Sequence, residues 1–298
     1  MKQMDVKQGL SSFSDTLNLR IFELLAADDD ARSSPQLVDA MRYAVRGGRR
    51  FRPFLTAECA NLFGLPLSSC LDLACAIECF HCHSLIYDDL PAMDDDATRR
   101  GLPAVHVVFG EATAMLAASC LSLTAFEIIA EPTTHRDPQV RTRLIAELAA
   151  IAGKSGMAGG QLLDLMSEGR SRTTNLAVVE RIHSMKTASL IRYACVAGAR
   201  LAGARGQDLT ALAQYGNAIG LAFQIADDLL DANGSDEAFQ PSQDALRGKA
   251  TYVSVAGTHA ASMMVEKLAD TALSTIARFG QCGSTLADIV QLVVQRSY

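Results

Sequence analysis

Tryptophan is absent from this chain, and its eight prolines are so uneven that none lies between Pro138 and Pro241. That span is rich in Ala, Leu, Ile, Gln and Glu, which favour helix, whereas a β protein would be interrupted by proline and glycine turns. Hydrophobic residues make up 49% of the chain, which is ample for a large buried core. The scarcity of proline therefore predicts long helices and an all-α fold.

Signs of export, of membrane insertion and of a polyanionic partner are also lacking. The amino terminus MKQMDVKQGL contains no apolar signal segment, and no uninterrupted apolar run approaches the roughly 20 residues that cross a bilayer. The formal net charge of -6 argues against nucleic acid and anionic membranes as partners. We therefore expect a cytoplasmic protein that binds no nucleic acid and is not inserted into a membrane.

The eight cysteines fit buried thiols in such a compartment better than a disulfide framework. Cys75, Cys79 and Cys82 lie near one helix face beside His81 and His83, so a soft-metal site is an alternative. Cys79 and Cys82 form a single CxxC spacing, and no second pair completes a zinc site. The pattern favours buried thiols.

What the chain has in unusual density is aspartate. Five aspartates fall within nine residues in the stretch YDDLPAMDDDATRR, from Tyr87 to Arg100. Two carboxylates about 4 Å apart repel by roughly 4 kcal/mol at an effective dielectric near 20, and a bound cation relieves that repulsion. Mg2+ is usually held by one or two carboxylates together with substrate phosphates. The stretch therefore predicts a divalent-metal site coupled to a phosphate-bearing ligand, with a solvated acidic loop as the alternative.

The stretch follows an apolar helix predicted over Leu71 to Asp89, and Pro91 prevents a regular continuation of that helix. On an ideal helix Asp88 and Asp95 share a face, while Asp94 points well away. Which aspartate joins Asp88 at a metal therefore depends on the local bulge.

A second acidic cluster, FQIADDLLD, ends the apolar helix predicted over Leu209 to Leu230. Asp227 and Asp231 are four residues apart and Gln224 lies three before Asp227, so these side chains share one helix face. Adjacent aspartates in an apolar run are rare without a partner. If the two acidic helices faced each other across a bundle, their carboxylates would form a metal cage and the apolar interior would receive a hydrocarbon tail.

Basic residues suited to phosphate occur in patches. The segment RRFRP places Arg49, Arg50 and Arg52 directly after Gly47 and Gly48, where a helix is predicted to begin, and helix amino termini favour anions. A solvated basic turn is the alternative. Further basic residues of interest are Arg99, Arg100, Lys186 and Lys249. Carboxylates, metal and basic groups together would suit ionisation of an allylic diphosphate.

The remaining pattern is also helical, and no linker separates two cores, so a single domain over residues 1–298 is expected. Further helices are predicted over Phe13–Leu25, Pro35–Val45 with Ser34 as its cap, Gly110–Ala130, Asp137–Ile151, Leu176–Ala202 and Thr251–Tyr298, with a bend at Gly153–Gly160 and a polar loop at Asn233–Lys249 near the mouth of a site.

Six ordered segments resemble the trans-isoprenyl diphosphate synthase, or polyprenyl synthetase, family, and most closely its bacterial farnesyl diphosphate synthase (geranyltranstransferase) branch. These segments are GGRRFRP (47–53), HCHSLIYDDLPAMDDDATRRG (81–101), FGEATAMLA (109–117), GMAGGQLLDL (156–165), MKTASLI (185–191) and GLAFQIADDLLD (220–231). The resemblance runs from about residue 40 to the carboxyl terminus.

The resemblance implies an all-α bundle with a central apolar cavity, usually a homodimer, in which two aspartate-rich motifs hold three Mg2+ ions. The implied metal ligands are Asp88, Asp89, Asp94, Asp227, Asp228 and Asp231. The implied catalytic residues are Lys186, Thr187, Gln224 and Lys249. Arg99 matches the arginine that contacts the allylic diphosphate, and Gly48, Arg49, Arg52, His81 and Arg100 match the isopentenyl diphosphate site. The resemblance also pairs Asp88 with Asp94, which requires a bulge at Pro91.

The implied reaction ionises dimethylallyl or geranyl diphosphate, after which the isopentenyl double bond attacks the carbocation and a proton is lost. His83, five residues before Asp88, occupies the position that often limits product length in this family. We favour farnesyl diphosphate as product, with geranylgeranyl and geranyl diphosphate as alternatives.

Several residues depart from the family pattern. Arg49 and Leu102 stand where lysine is usual, Ser119 replaces an aspartate, and Ala238-Phe239 replaces a Gly-Lys pair. These departures keep a non-catalytic partner subunit open as an alternative.

Two rival chemistries also remain. A class I terpene cyclase shares the metal-assisted ionisation but would not need an isopentenyl diphosphate patch. A di-iron bundle is suggested by the Glu-x-x-His spacing of Glu78 with His81 and of Glu180 with His183.

Overall fold

The computed structural model of the protein describes residues 6–26, 34–169, 174–233 and 248–295, and almost all regular structure within them is helical. The helices are α1 Val6–Leu24, α2 Pro35–Ala44, α3 Phe51–Asn61, α4 Leu67–Asp89, α5 Val105–Phe109, α6 Glu111–Ala130, α7 Pro138–Ala152, α8 Met157–Ser167, α9 Leu176–His183, α10 Ser189–Leu201, α11 Gln207–Asn233, α12 Tyr252–Ala256, α13 Thr258–Ile276 and α14 Ser284–Val294. Strands β1 (Thr98–Arg99) and β2 (Leu102–Pro103) form a short antiparallel hairpin. The predicted all-α class is confirmed.

Most helix boundaries lie close to the prediction, but α1 begins at Val6 rather than Phe13 and α4 begins at Leu67 rather than Leu71. α4 ends at Asp89 as predicted, and α2 begins at Pro35 although the Ser34 hydroxyl caps no backbone N–H. The predicted bend over Gly153–Gly160 is wrong in its second half, because α8 already begins at Met157. Gly160 lies inside that helix, where a Cβ atom would stand 2.5 Å from the backbone nitrogen of Lys186. The glycine permits a close approach of two segments rather than a turn.

Residues 1–57 and 65–145 form one compact unit. Its principal helix is α4, which packs against α1, α5 and α6, while α2 packs against α5 and α6. Leu73 and Ile77 of α4 are fully buried, and buried residues occur all round this helix. A helix that is apolar on every side belongs in a core. The core position of α4 fixes the acidic stretch at its carboxyl end.

Residues 58–64 and 146–298 form a second compact unit around α11, which packs against α10, α13 and α14. The segment predicted as one helix over Leu176–Ala202 contains α9, a π-helical turn at Ser184–Ala188 and α10. Single π turns inside α-helices often occur at functional sites. This π turn carries Lys186 and Thr187, two residues for which the family resemblance implies a catalytic role.

Two helices, α4 and α6, have the length and apolar composition of a membrane span. The apolar window of α4 is 61% buried and that of α6 39% buried, and a core helix of a globular protein passes the same test. The exposed part of α6 includes Met115, Leu116 and Leu123. An apolar face of this kind is typical of a contact surface.

Candidate active site

The acidic stretch in the first unit folds back over the end of α4. Leu90, which precedes a proline, adopts φ -60° and ψ 150° and ends the helix. The N–H of Asp94 donates to the carbonyl of Asp88 at 2.8 Å, and Asp95 has a φ of +43°. Asp94 is 7% exposed, whereas Asp95 is exposed. The bulge expected after Pro91 is present, and it turns Asp94 rather than Asp95 inward; the metal role of Asp88 and Asp94 stays a prediction.

Asp89 is paired with an arginine of the hairpin that follows the acidic stretch. Arg99, on β1, donates from Nε to Asp89 Oδ1 at 2.7 Å, and its Nη2 donates to Asp89 and, at 2.9 Å, to Asp96 Oδ2. Asp89 is only 2% exposed. A metal bound by Asp89 would therefore compete with this ion pair, while Arg99 is fixed beside the aspartates where the resemblance requires it.

The glycine pair before α3 leaves room for Arg100. Gly48 has a φ of +87°, and a Cβ atom on it would lie 2.5 Å from Arg100 Cζ. Arg100 Nη1 donates to the carbonyls of Gly47 and Arg46 at 3.0 and 3.3 Å. The structure thus brings Gly48 and Arg100 together, as the predicted isopentenyl diphosphate site requires.

Arg52 and His81 of the same predicted site also meet. Arg52 Nη1 lies 3.2 Å from His81 Nε2. Because a guanidinium only donates, Nε2 is the acceptor and the imidazole proton is on Nδ1. Burial and then the charges of Arg52 and Arg100 hold the pKa of His81 well below its usual value. His81 is neutral near pH 7, so the positive charge of this patch belongs to its arginines, including the exposed Arg49.

In the second unit, the π turn is joined to the second acidic motif by hydrogen bonds. Thr187 Oγ1 donates to Gln224 Oε1 at 2.8 Å, and Gln224 Nε2 donates to Asp228 Oδ1 at 3.2 Å. Asp228 Oδ2 accepts from the N–H of Tyr252 at 2.7 Å. Both carboxylate oxygens of the buried Asp228 therefore accept hydrogen bonds from the protein itself.

Asp227 and Asp231 lie four residues apart on α11 and share its face. Asp227 is half-buried and Asp231 is exposed, so both are more accessible than Asp228. The predicted metal role is best matched by these two carboxylates of the second motif.

Asp164 of α8 is a site residue that sequence reasoning missed. Its Oδ2 accepts from Lys186 Nζ at 2.7 Å and lies 3.7 Å from Lys249 Nζ. Burial raises the pKa of Asp164, but the charges of Lys186 and Lys249 outweigh burial and hold it below its usual value. The structure thus gathers both predicted lysines at one carboxylate. The available signal was a lone aspartate in the apolar segment GGQLLDL.

One turn earlier on α8, Gln161 is 8% exposed. Across the described ranges, neither its amide oxygen nor its amide nitrogen has a hydrogen-bond partner. Buried polar groups in proteins are nearly always paired, so this amide is unusual.

The predicted length-limiting residue His83 lies against α6. Its Nδ1 donates to the carbonyl of Ala118 at 3.0 Å, and its ring is 5.1 Å from the rings of both Phe80 and Tyr87. Tyr87 Oη is in turn 3.0 Å from Ser119 Oγ. Ser119, which stands where the family usually has aspartate, therefore has the Tyr87 hydroxyl as its hydrogen-bond partner. Leu102 is exposed on β2, and Ala238 and Phe239 lie outside the described residues.

The donor set of the acidic motifs suits a hard divalent cation. In the described part of the chain, no three His, Cys, Asp or Glu side chains form a ready metal cluster. Mg2+ does not need one, since it keeps several waters and takes substrate phosphates as ligands. Asp88 and Asp94 in the first unit, and Asp227 and Asp231 in the second, supply oxygen donors of the right kind.

The rival metal sites fit the structure less well. Glu78 accepts from Arg50 and Arg100, and His81 faces Arg52, so this Glu-x-x-His pair contacts arginines in place of iron. Burial raises the pKa of the Cys82 thiol to about 12, and its Sγ donates to the Glu78 carboxylate at 3.6 Å.

Comparison with known proteins gives a consistent result. The polyprenyl synthetase family model matches residues 34–285. Farnesyl diphosphate synthase of Escherichia coli (strain K12) is 41% identical over 88% of this chain and 89% of its own length. Geranylgeranyl diphosphate synthase of Cyanophora paradoxa is 40% identical over 89% and 90%. The crystal structure of an FPP/GFPP synthase from Zymomonas mobilis superposes with a TM-score of 0.85 at 37% identity, covering 97% of this chain and 98% of that one. With this match over most of its length, the chain belongs to the polyprenyl synthetase family.

Proposed function

We propose that the protein condenses isopentenyl diphosphate with dimethylallyl or geranyl diphosphate and that its main product is farnesyl diphosphate. The observation that carries this proposal is the arginine-bound acidic stretch at the end of α4, with Asp94 turned inward beside the Arg99–Asp89 pair. Relatives of similar identity are named for farnesyl and for geranylgeranyl diphosphate. Geranylgeranyl and geranyl diphosphate are accordingly the alternative products.

In this proposal Asp88, Asp94, Asp227 and Asp231 hold Mg2+, with three ions per active site. When bound, Mg2+ disperses the negative charge of the departing diphosphate. Arg99 binds the same allylic diphosphate through guanidinium N–H groups, which suit phosphate oxygens. Its bond to Asp89 fixes the direction of that side chain before substrate arrives.

The groups of the π turn act on the allylic carbon. Gln224 accepts from Thr187 and donates to Asp228, so its amide orientation is defined. Lys186 and Lys249, both beside Asp164, supply positive charge to the leaving diphosphate. The arginine patch meanwhile holds the diphosphate of isopentenyl diphosphate, which stays on the product.

A Mg2+-dependent assay of the purified protein tests the proposal. Isopentenyl diphosphate is supplied with dimethylallyl or geranyl diphosphate, and released diphosphate and product length are measured. Farnesyl diphosphate is the expected product, and chelation of the metal should stop its formation. Hydrocarbon release from geranyl diphosphate alone would favour a terpene cyclase. If no allylic partner releases diphosphate, the catalytic proposal fails in favour of a non-catalytic subunit.

The product length is tested at His83. His83→Ala removes a ring held between Phe80, Tyr87 and α6, so products longer than farnesyl diphosphate are expected to increase. Chromatography of the dephosphorylated products measures the change. An unchanged product distribution would remove His83 as the limit to chain growth.

We further propose a homodimer. The exposed apolar residues Met115, Leu116 and Leu123 of α6 support this assembly. Light scattering of the wild type and of Leu116→Glu tests it, since a charge at the contact should yield monomers. A cytoplasmic location stays a prediction that cell fractionation would test.

A further inference from the structure

Glu78 lies in the core of the first unit, one turn before His81 on α4, and none of the roles given above belongs to it. The residue is 1% exposed. Its Oε1 accepts from Arg50 Nη1 and, at 3.1 Å, from Arg100 Nη2. One carboxylate oxygen therefore joins two arginines that are 50 residues apart in sequence.

Both arginines hold the loop before α3. Arg50 Nη2 donates to the carbonyl of Val45, and Arg100 Nη1 donates to the carbonyls of Arg46 and Gly47. The carbonyls of three consecutive residues are thus fixed by guanidinium groups whose common anchor is Glu78.

The loop needs such an anchor. Gly47, Gly48 and Arg50 all have positive φ values, of 64°, 87° and 51°. For a bulky residue such as Arg50, a left-handed conformation costs about 1–3 kcal/mol and persists only where the surroundings hold it. Asn18 Oδ1 accepts two further bonds from Arg50, which completes its restraint.

The charge at this point is also defined. Burial raises the pKa of Glu78, but the charges of Arg50 and Arg100 outweigh burial and hold it below its usual value. The carboxylate is therefore ionised, and the group of three carries one net positive charge. Without the carboxylate, the buried guanidinium of Arg50 and the half-buried guanidinium of Arg100 would repel each other.

We propose that Glu78 is a positioning residue for the diphosphate of isopentenyl diphosphate, acting through Arg100 and the loop of residues 45–48. The proposal rests on the proposed function, which assigns Gly48, Arg49, Arg52 and Arg100 to that diphosphate. Glu78 itself does not touch the substrate. Its effect is to fix the direction of Arg100 and the backbone from which Arg49 projects.

Glu78→Gln keeps the side-chain shape and removes the charge. We expect the KM for isopentenyl diphosphate to rise about 10-fold to 100-fold, by analogy with the loss of affinity when the hydrogen-bond partner of a metal-ligating residue is removed. The KM for geranyl diphosphate should stay within about twofold. Glu147→Gln is the matched control, because Glu147 binds Arg200 with both oxygens, at 2.7 and 3.1 Å, in the second unit. It should change neither KM selectively.

A purely structural role for Glu78 would give a different result. It would lower the melting temperature and reduce activity with both substrates equally, and that outcome would overturn the proposal. An unchanged KM for isopentenyl diphosphate in folded Glu78→Gln would overturn it as well.

Gly48→Ala is the second variant, in case Glu78→Gln does not fold. Gly48 lies on an exposed loop, and a Cβ atom there would stand 2.5 Å from Arg100 Cζ, so the guanidinium would have to move. The same selective rise in KM for isopentenyl diphosphate is expected, and an unchanged value would contradict the positioning role of this loop.

Calorimetric titration with isopentenyl diphosphate separates the two proposals. If the wild type does not bind it, the proposed function fails. If the wild type binds and the Glu78 and Gly48 variants bind equally well, the proposed function stands and the role of Glu78 fails.

Discussion

The basic side chains near the proposed isopentenyl diphosphate site of the first unit and those near Asp164 of the second unit are held in opposite ways. In the first, Arg50 and Arg100 each donate through at least two nitrogen atoms to carboxylate, amide or carbonyl oxygens. In the second, Lys186 and Lys249 share the single carboxylate of Asp164. A guanidinium is a planar fork whose direction is fixed by two bonds, whereas an ammonium is a point charge on a flexible stem.

This difference matches the two diphosphates of the proposed reaction. The arginine patch would hold a diphosphate that remains on the product, so a fixed geometry suits it throughout. The lysines would meet a diphosphate that gains negative charge as it leaves, and point charges follow such a change without breaking a paired geometry. In this proposal the arginines of the first unit hold one diphosphate in a fixed direction, and the lysines of the second unit supply charge to the other.

The largest effect should come from the acidic stretch of the first unit. Asp94→Asn removes an inward carboxylate, and we expect kcat/KM to fall about 10²-fold to 10³-fold, as when one electrostatic stabiliser is lost. Asp95→Asn, which changes the exposed neighbour, should retain nearly full activity. Steady-state kinetics at several Mg2+ concentrations measure both. Equal losses in the two variants would mean that the bulge does not select Asp94.

The next effect concerns the lysine pair of the second unit. Asp164→Asn should lower the free energy of unfolding by about 3 kcal/mol at pH 7, because two lysines lose their shared partner. Since the folded-state pKa of Asp164 is lowered, its stabilisation is fully present above the unfolded pKa and is lost as pH falls through the folded value. The difference between wild type and variant should therefore be constant above about pH 5 and shrink below about pH 4.

Urea unfolding at several pH values measures this difference. Asp208→Asn is the control, since Asp208 forms an exposed pair with Arg278 at 3.1 Å, and such pairs contribute about 1 kcal/mol or less. If Asp164→Asn is no more destabilising than Asp208→Asn, Asp164 does not hold the lysines as the structure indicates.

Local sequence patterns were enough to predict which helices carry the acidic residues. The apolar run that ends at Asp89 and the proline at position 91 predicted the end of α4, because both act on neighbouring residues. The choice of Asp94 over Asp95 came from the family resemblance, since ideal-helix geometry favours Asp95. The helix face shared by Asp227 and Asp231 follows from their spacing.

The partners of the basic residues could not be predicted in this way. Asp164 meets Lys249 and Glu78 meets Arg50 only because a helix packs against a loop segment distant in sequence, and spacing carries no signal for that. The π turn at Lys186 has no recognisable sequence pattern either. It is tied to the close approach of Gly160, which sequence reasoning placed in a bend.

The smallest effect should come from Gln161, whose replacement should stabilise the fold, whereas replacement of Asp164 should destabilise it. The unpaired amide of this buried side chain costs free energy in the protein alone, so Gln161→Met, which keeps the length and removes the polar atoms, should raise the free energy of unfolding by about 1 kcal/mol. Gln224→Met is the contrast, because Gln224 is bonded to Thr187 and Asp228 and its loss should destabilise the fold by a similar amount. Thermal and urea unfolding of the two variants measure the difference. A destabilised Gln161→Met would show that the amide is paired in solution, and its cost in the protein alone would then disappear.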